Sequence, residues 1–196
     1  MTQELSSAEK NKLAERIAQS VGKAPFRAGR FALERDALPF YKNAYDVHIK
    51  CFTTHPVITK NYVCDDDHVF ETDGEAETLT EINKALSLQL NLKNVAAYAA
   101  FYFKKVAVND SFAVLALTTD DVIDEDFGKE LQETLRNLIT APQIRETADG
   151  FIVSGFVLLE DTLFKADLKI EQNGAVSIDN EEIVYENLPV QRVMLR

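Results

Sequence analysis

The strongest hydrophobic pattern in the chain lies between Ile144 and Ile178, where short runs of strand-type residues are separated by three turn signals. Asp149-Gly150 sits between Glu146-Thr147-Ala148 and Phe151-Ile152-Val153 and supplies the two positive-φ positions of a tight type I′ turn. At Gln172-Asn173-Gly174 a two-residue turn would set apolar residues against polar ones. A three-residue loop with Gly174 in a left-handed bulge position instead pairs Ile170 with Val176 and Leu168 with Ile178, and this register is the expected one. A loop centred on Asp161-Thr162 sets Leu159 opposite Phe164, Val157 opposite Ala166 and Gly155 opposite Leu168.

These registers collect Val153, Val157, Leu159, Phe164, Ala166, Leu168, Ile170, Val176 and Ile178 on one face, with Lys165, Asp167 and Lys169 on the other. Three apolar residues break the polarity of that second face: Ile152, Phe156 and Leu158. Either another element of the chain covers them, which is the usual fate of such residues, or they form a binding surface.

Upstream the periodicity changes. Ser6-Ser7-Ala8-Glu9 is a capping box, followed by Leu13, Ile17 and Val21 at four-residue spacing and a stop at Gly22. The narrow stripe predicts a helix lying on the domain surface or on a partner subunit. Tyr45 to Cys51 alternates as a strand, Val57 to Val63 forms a second, and a short run His68-Val69-Phe70 follows Asp65-Asp66-Asp67. Thr72 to Ala85 reads as loop with a helical turn near Leu79 to Ala85. The best helix begins after Asn91: Val95, Ala96, Ala99, Tyr102, Phe103 and Val106 keep its period, and Tyr98 and Phe101 widen the stripe until little polar face is left. Such a helix is buried and is expected at the centre of the core. Asn109-Asp110 turns the chain into Phe112 to Leu117, an interior strand. Asp120-Asp121 and Asp124-Glu125-Asp126 then suit a helix N-terminus, with Phe127, Leu131, Leu135, Leu138 and Ile139 as its buried face and Pro142 as its end.

The expectation is therefore an α+β protein, a C-terminal four-stranded antiparallel meander packed against a central buried helix, as in the cystatin and NTF2 architecture. Residues 1–22 form an amphipathic helix and residues 23–196 a single domain, with no repeat and no low-complexity linker. The segment Lys23 to Arg35 carries Lys23, Arg27, Arg30 and Arg35 with Phe26 and Phe31, and Pro25 and Gly29 break it. It reads as a solvated connection in preference to an anion-binding arm.

Composition narrows the class. With 46% hydrophobic and 27% charged residues in 196, the chain is an ordinary globular protein long enough to bury a core. No apolar run approaches the roughly 20 residues of a membrane helix, so no membrane span is expected. The first seven residues carry neither a basic nor an apolar leader region, which points to the cytoplasm. The net charge of -11 is uneven: residues 1–64 hold 10 Lys and Arg against 6 Asp and Glu, and the rest 11 against 26. Such an acidic chain is a poor partner for nucleic acid.

Thr72-Asp73-Gly74, Glu81-Ile82-Asn83 and the block Leu90 to Phe112, with Asn94-Val95, Tyr98, Phe101, Val106, Asp110 and Phe112, resemble a block of uncharacterised bacterial proteins. Leu163-Phe164-Lys165 through Asn173-Gly174 to Leu188-Pro189-Val190 resembles their C-terminal end. The resemblance spans roughly half the chain and implies a soluble bacterial protein, with no activity attached and no functional residue to carry over.

Chemistry-bearing residues are few. His48, Cys51, His55, Cys64 and His68 lie within one stretch beside Asp65 to Asp67, and are the usual zinc ligands. Their spacing lacks a Cys-x-x-Cys pair, and His48 and Cys51 point to opposite faces of one strand. If the two strands pair, Cys51 and Cys64 share a face but sit about 20 Å apart, too far for a disulfide. Buried thiols and surface histidines are therefore preferred to a zinc site, and no other cofactor is expected. Asp65 to Asp67 and Asp120 to Asp126 lack an EF-hand pattern and read as solvated turns. There is no Gly-rich phosphate loop, Gly-x-Ser-x-Gly elbow or His-Glu-x-x-His; His68 with Asp66 is a possible general base of low specificity. The favoured expectation is a non-enzymatic binding or assembly module that engages a protein partner or its own copy through the apolar end of the meander and the N-terminal helix. The alternatives are a small enzyme or ligand carrier with a pocket between helix and sheet, and a zinc-binding protein.

Overall fold

A computed structural model describes residues 5–22, 30–53, 55–108, 111–124 and 127–190. The basic part of the Lys23 to Gly29 segment, the Asn109-Asp110 turn, Glu125-Asp126 and the end of the C-terminal tail lie outside them. The chain is α+β with two antiparallel sheets and divides into two compact units. The first comprises residues up to Asp73 with Lys84–Ser87; the second holds Gly74–Asn83 and everything from Leu88 onward.

In the first unit helix α1 (Ser7–Val21) precedes strands β1 (Phe31–Ala37), β2 (Tyr45–Cys51), β3 (Ile58–Cys64) and β4 (Val69–Glu71), which form a sheet in chain order. The expected capping box is present: Ser6 Oγ accepts from the Glu9 amide at 3.4 Å, and Glu9 accepts from the Ser6 amide at 2.9 Å. Gly22 ends the helix at φ +69. Ala14 and Ile17 bury the apolar stripe against Leu33, Val47, Ile49, Tyr62 and Cys64, all on one face of the sheet. Arg16 fastens the helix by donating to the carbonyls of Asp66 (2.9 Å) and Asp65 (2.5 Å). The expected connection over Lys23 to Arg35 ends instead as β1. Phe31-Ala32-Leu33-Glu34-Arg35 has helix-forming composition and no strand alternation, but seven-residue pairing with β2 overrides propensity.

In the second unit α2 (Ala76–Ala85, its last turn in the first unit) precedes α3 (Val95–Lys105), β5 (Ala107–Val108), β6 (Ser111–Ala116), a 3₁₀ turn (Thr119–Asp121) and α4 (Lys129–Leu138). The meander follows as β7 (Gln143–Thr147), β8 (Gly150–Leu159), β9 (Thr162–Glu171) and β10 (Val176–Tyr185). Helix α3 starts later than expected: Asn91 Oδ1 caps the preceding turn at Lys93, and Asn94 occupies the N-cap. The acidic Asp120-Asp121 closes the 3₁₀ turn, and α4 begins only at Lys129.

The four-stranded meander is present with its expected faces. Ile170 pairs with Val176 and Leu168 with Ile178, and Gly174 has φ +89. Two expected details are corrected. The β7–β8 turn is Ala148-Asp149, with Gly150 at φ +154 already in β8; this sets Ile144 against Val153 where a type I′ turn at Asp149-Gly150 would leave it against Gly155. Strands β8 and β9 close through Glu160-Asp161, Glu160 at φ +54, so Leu159 faces Thr162. The expected register would have set Leu158 against Lys165; the observed one sets it against Leu163, which is fully buried.

One feature of this sheet was not legible in advance. Strands β6 and β7 both pair antiparallel with the same edge of β8, β6 along Phe156–Leu159 and β7 along Gly150–Ser154. They act as one strand broken opposite Gly155: the chain leaves the sheet after Ala116 and rejoins it at Gln143. A Cβ at Gly155 would stand 3.4 Å from Leu115 Cδ1 and from Pro142, one residue on each side of the break.

Each face of the broken sheet has its own cover. Helix α3 lies against β6, β8 and β9. Its Tyr98 donates to the Gly174 carbonyl (2.7 Å) and accepts from Asn83 (2.8 Å). On the opposite face the excursion packs Val122, Phe127, Leu135 and Ile139 over Ala116, Phe156, Leu158 and Leu163.

Candidate functional site

A cleft of about 590 Å³ opens where the excursion rejoins the sheet. One wall is the end of α4 and its exit, Leu138, Thr140 and Ala141. The floor is Ser154, Gly155 and Phe156 of β8 with Gln143 of β7, and the far wall is Lys165 of β9 with Glu182, Ile183 and Val184 of β10. Three local features shape it. The strand break removes a neighbour from β8 at Gly155. Pro142 ends the excursion with a residue that cannot donate a ladder hydrogen bond. A bulge in β10 between Asp179 and Glu182, with Asn180 at φ +49, turns Glu182 and Val184 to the α4 side of the sheet.

Two of the lining elements are tied together by polar side chains. Ser154 directs its proton to Asp167 Oδ1 at 2.5 Å, and Asn180 donates to Oδ2 at 3.1 Å. Those hydrogen bonds, Ser154's first, hold the Asp167 carboxyl below its ordinary range despite some desolvation. The lining contains no His or Cys. Among the described residues the side chains of Thr140, Gln143, Lys165 and Glu182 make no hydrogen bond or ion pair, and remain available to a bound molecule.

The three residues singled out as a binding surface have separate fates. Phe156 and Leu158 are only 6% and 8% exposed, covered by α4, so they do not form an open apolar patch. Phe156 nevertheless lines the cleft floor, while half-buried Ile152 pairs with Arg145 outside it. The cleft's polar residues were missed because nothing in their spacing brings β7, β9 and β10 to one place. Gly155, a glycine inside an apolar strand, was the available signal.

The five candidate zinc ligands are spread along the first sheet. His48 uses both ring nitrogens, Nδ1 with Asn61 Oδ1 at 2.6 Å and Nε2 with the buried Asp46 at 3.0 Å, which leaves none for a metal. Cys51 and Cys64 are buried and outside any disulfide, on one face at opposite ends of the β2–β3 ladder, Cys51 opposite Ile58 and Cys64 opposite Tyr45. Burial pushes the Cys64 thiol up to about 11, against the opposing pull of the Arg16 guanidinium. His55 is exposed in the hairpin loop, and His68 bonds Asp65 at 3.1 Å while stacking on Phe70. Among the described residues no group of three His, Cys, Asp or Glu side chains is placed to hold a metal ion. No described helix is long and apolar enough to cross a membrane.

In comparisons with known proteins, no family model, curated protein or solved structure matches the chain.

Proposed function

We propose that the chain is a binding module that takes a small ligand in the cleft at the break between β6 and β7. The observation that supports this is the coincidence of a 590 Å³ recess with four uncommitted polar side chains over an aromatic floor. Sites for small molecules commonly span about 300–1,000 Å³, mostly apolar with a few placed polar groups. The surfaces that an assembly role would use, the apolar end of the meander and the stripe of α1, are occupied within the chain. The pairing of α3 with a bent antiparallel sheet supports a cystatin/NTF2-like assignment, and two buried cysteines outside any disulfide support a reducing, cytoplasmic setting. The test is amide chemical-shift mapping with a cocktail of small amphiphiles. Perturbations should cluster on Gln143, Ser154, Gly155 and Phe156, and perturbations confined to other residues would overturn the reading.

A second reading, docking of a protein partner or second copy, is favoured by one observation. Phe52 and Val57 at the β2–β3 hairpin are 53% and 48% exposed beside Ile58. Light scattering of the chain and of a Phe52→Ser/Val57→Ser variant tests it: a monomer in both counts against self-association.

A further inference from the structure

We infer that the ligand of the cleft is a short zwitterionic peptide, with a dipeptide of apolar side chains as its smallest form; this rests on the ligand-binding reading above. Lys165 and Glu182 are direct cross-strand neighbours in the β9–β10 register. Opposite charges so placed, with Cβ atoms about 5 Å apart, ordinarily pair. Lys60 and Glu71, only diagonal neighbours on β3 and β4, do pair. Lys165 and Glu182 form no ion pair among the described residues, and both line the cleft. The wall therefore presents one cation and one anion side by side, each open to a partner.

A purely anionic ligand would meet Glu182, and a purely cationic one Lys165. A molecule carrying both charges satisfies both. Two extended residues span at most about 7 Å, which matches the reach of two flexible side chains rooted on adjacent strands. Between the charged ends, Gln143 and Thr140 offer an amide and a hydroxyl of the kind that pair with a peptide bond. Phe156, Leu138 and Val184 supply apolar contact for side chains.

The experiment is calorimetric titration of the full chain with leucyl-leucine, its N-acetyl form, its C-terminal amide, and decanoate as an amphiphile of single charge. Leucyl-leucine should bind, and each capped form should bind at least tenfold more weakly. Lys165→Met should abolish discrimination against the amide only, and Glu182→Gln discrimination against the acetyl form only. Because both residues are exposed strand positions, these variants should fold, which their far-UV circular dichroism checks. Equal binding of capped and free forms, or unchanged discrimination in both variants, would overturn the inference. Decanoate binding with cleft shifts but no peptide binding would remove the peptide and leave the cleft reading standing. Absence of cleft shifts with every ligand and with the amphiphile cocktail would remove both.

Discussion

The two sheets solve the same problem differently. In the first, the central strand β2 is apolar on one face, through Val47, Ile49 and Cys51, and carries Asp46 and His48 on the other. One helix, α1, covers the apolar face. In the second, β8 is apolar on both faces: Phe151, Val153 and Val157 look toward the α3 side, Phe156 and Leu158 away from it. Such a strand needs two covers. The second cover is obtained by interrupting the neighbouring strand and sending residues 117–142 over the exposed end. An interrupted strand cannot seal the sheet at its break, and the cleft lies there. On this comparison the candidate site is a geometric consequence of the two-sided burial of β8.

The comparison breaks most sharply at Gly150. A Cβ there would stand 2.1 Å from the Ile170 carbonyl oxygen, a backbone atom of the β8–β9 ladder, at a φ of +154. Gly150→Ala must part that ladder and is expected to cost about 4 kcal/mol or more, the range of severe core and backbone lesions. Hydrogen exchange should show lost protection in β8 and β9 and retained protection in β2 and β3. Equal loss in both sheets would mean that they open as one cooperative body, and the contrast drawn above would lose its thermodynamic content.

Next come the two cover helices. Leu135 of α4 and Ile17 of α1 are both fully buried. Truncation of either to Ala should cost about 3 kcal/mol by lost transfer energy and residual cavity. Their functional effects should part: Leu135→Ala loosens the helix whose end walls the cleft and should weaken ligand binding, while Ile17→Ala should leave binding unchanged in the folded fraction. Urea denaturation and titration of the same two variants check this. Identical binding losses would show that the cleft does not depend on the excursion.

How much of this contrast was legible in the residues depends on range. The capping box at Ser6, the bulged turn at Gly174 and the division of β8 and β9 into two faces follow from local periodicity and turn chemistry. Phe156 and Leu158, apolar residues on an otherwise polar face, require an explanation, and cover by α4 supplies it. The broken strand was not legible, because β6 and β7 become collinear only by pairing with the same edge of β8 across an excursion. The β8–β9 register slipped by two residues for a similar reason: the parity argument conserves faces, and only packing of Leu163 opposite Leu158 chooses between registers of equal parity. Strand β1 was hidden by composition, and Lys165 and Glu182 look like solvated charges until the sheet sets them across from each other.

The alkaline limb of stability should distinguish the units next. Burial raises the Cys64 thiol to about 11 in the first unit. An unfolded thiol titrates near 8.5, so between those values the unfolded chain gives up a proton that the folded one keeps. The unfolded state then binds fewer protons, and stability falls as pH rises through that window, by at most about 1.4 kcal/mol per pH unit. In the second unit the raised groups are the Tyr98 and Tyr102 phenols, lifted chiefly by burial, and their loss begins only above pH 10. Urea midpoints of the chain should therefore decline between pH 9 and 10, and Cys64→Ala should flatten that decline. A slope unchanged by the substitution would place the titrating group elsewhere.

The smallest effect tests how firmly the single cover of the first sheet is held. Ser6→Ala removes the acceptor of the Glu9 amide, a change that costs about 1 kcal/mol at a typical N-cap. Helix α1 is also pinned ten residues on, where Arg16 grips the Asp65 and Asp66 carbonyls and Ile17 is sealed in the core. The loss should therefore appear as fraying confined to the first turns. Amide exchange should quicken at Glu9 and Lys10 while Ile17 keeps its protection. If protection falls along the whole helix, the cap and not the packed stripe holds α1 on its sheet. The first unit's cover would then be as conditional as the second's.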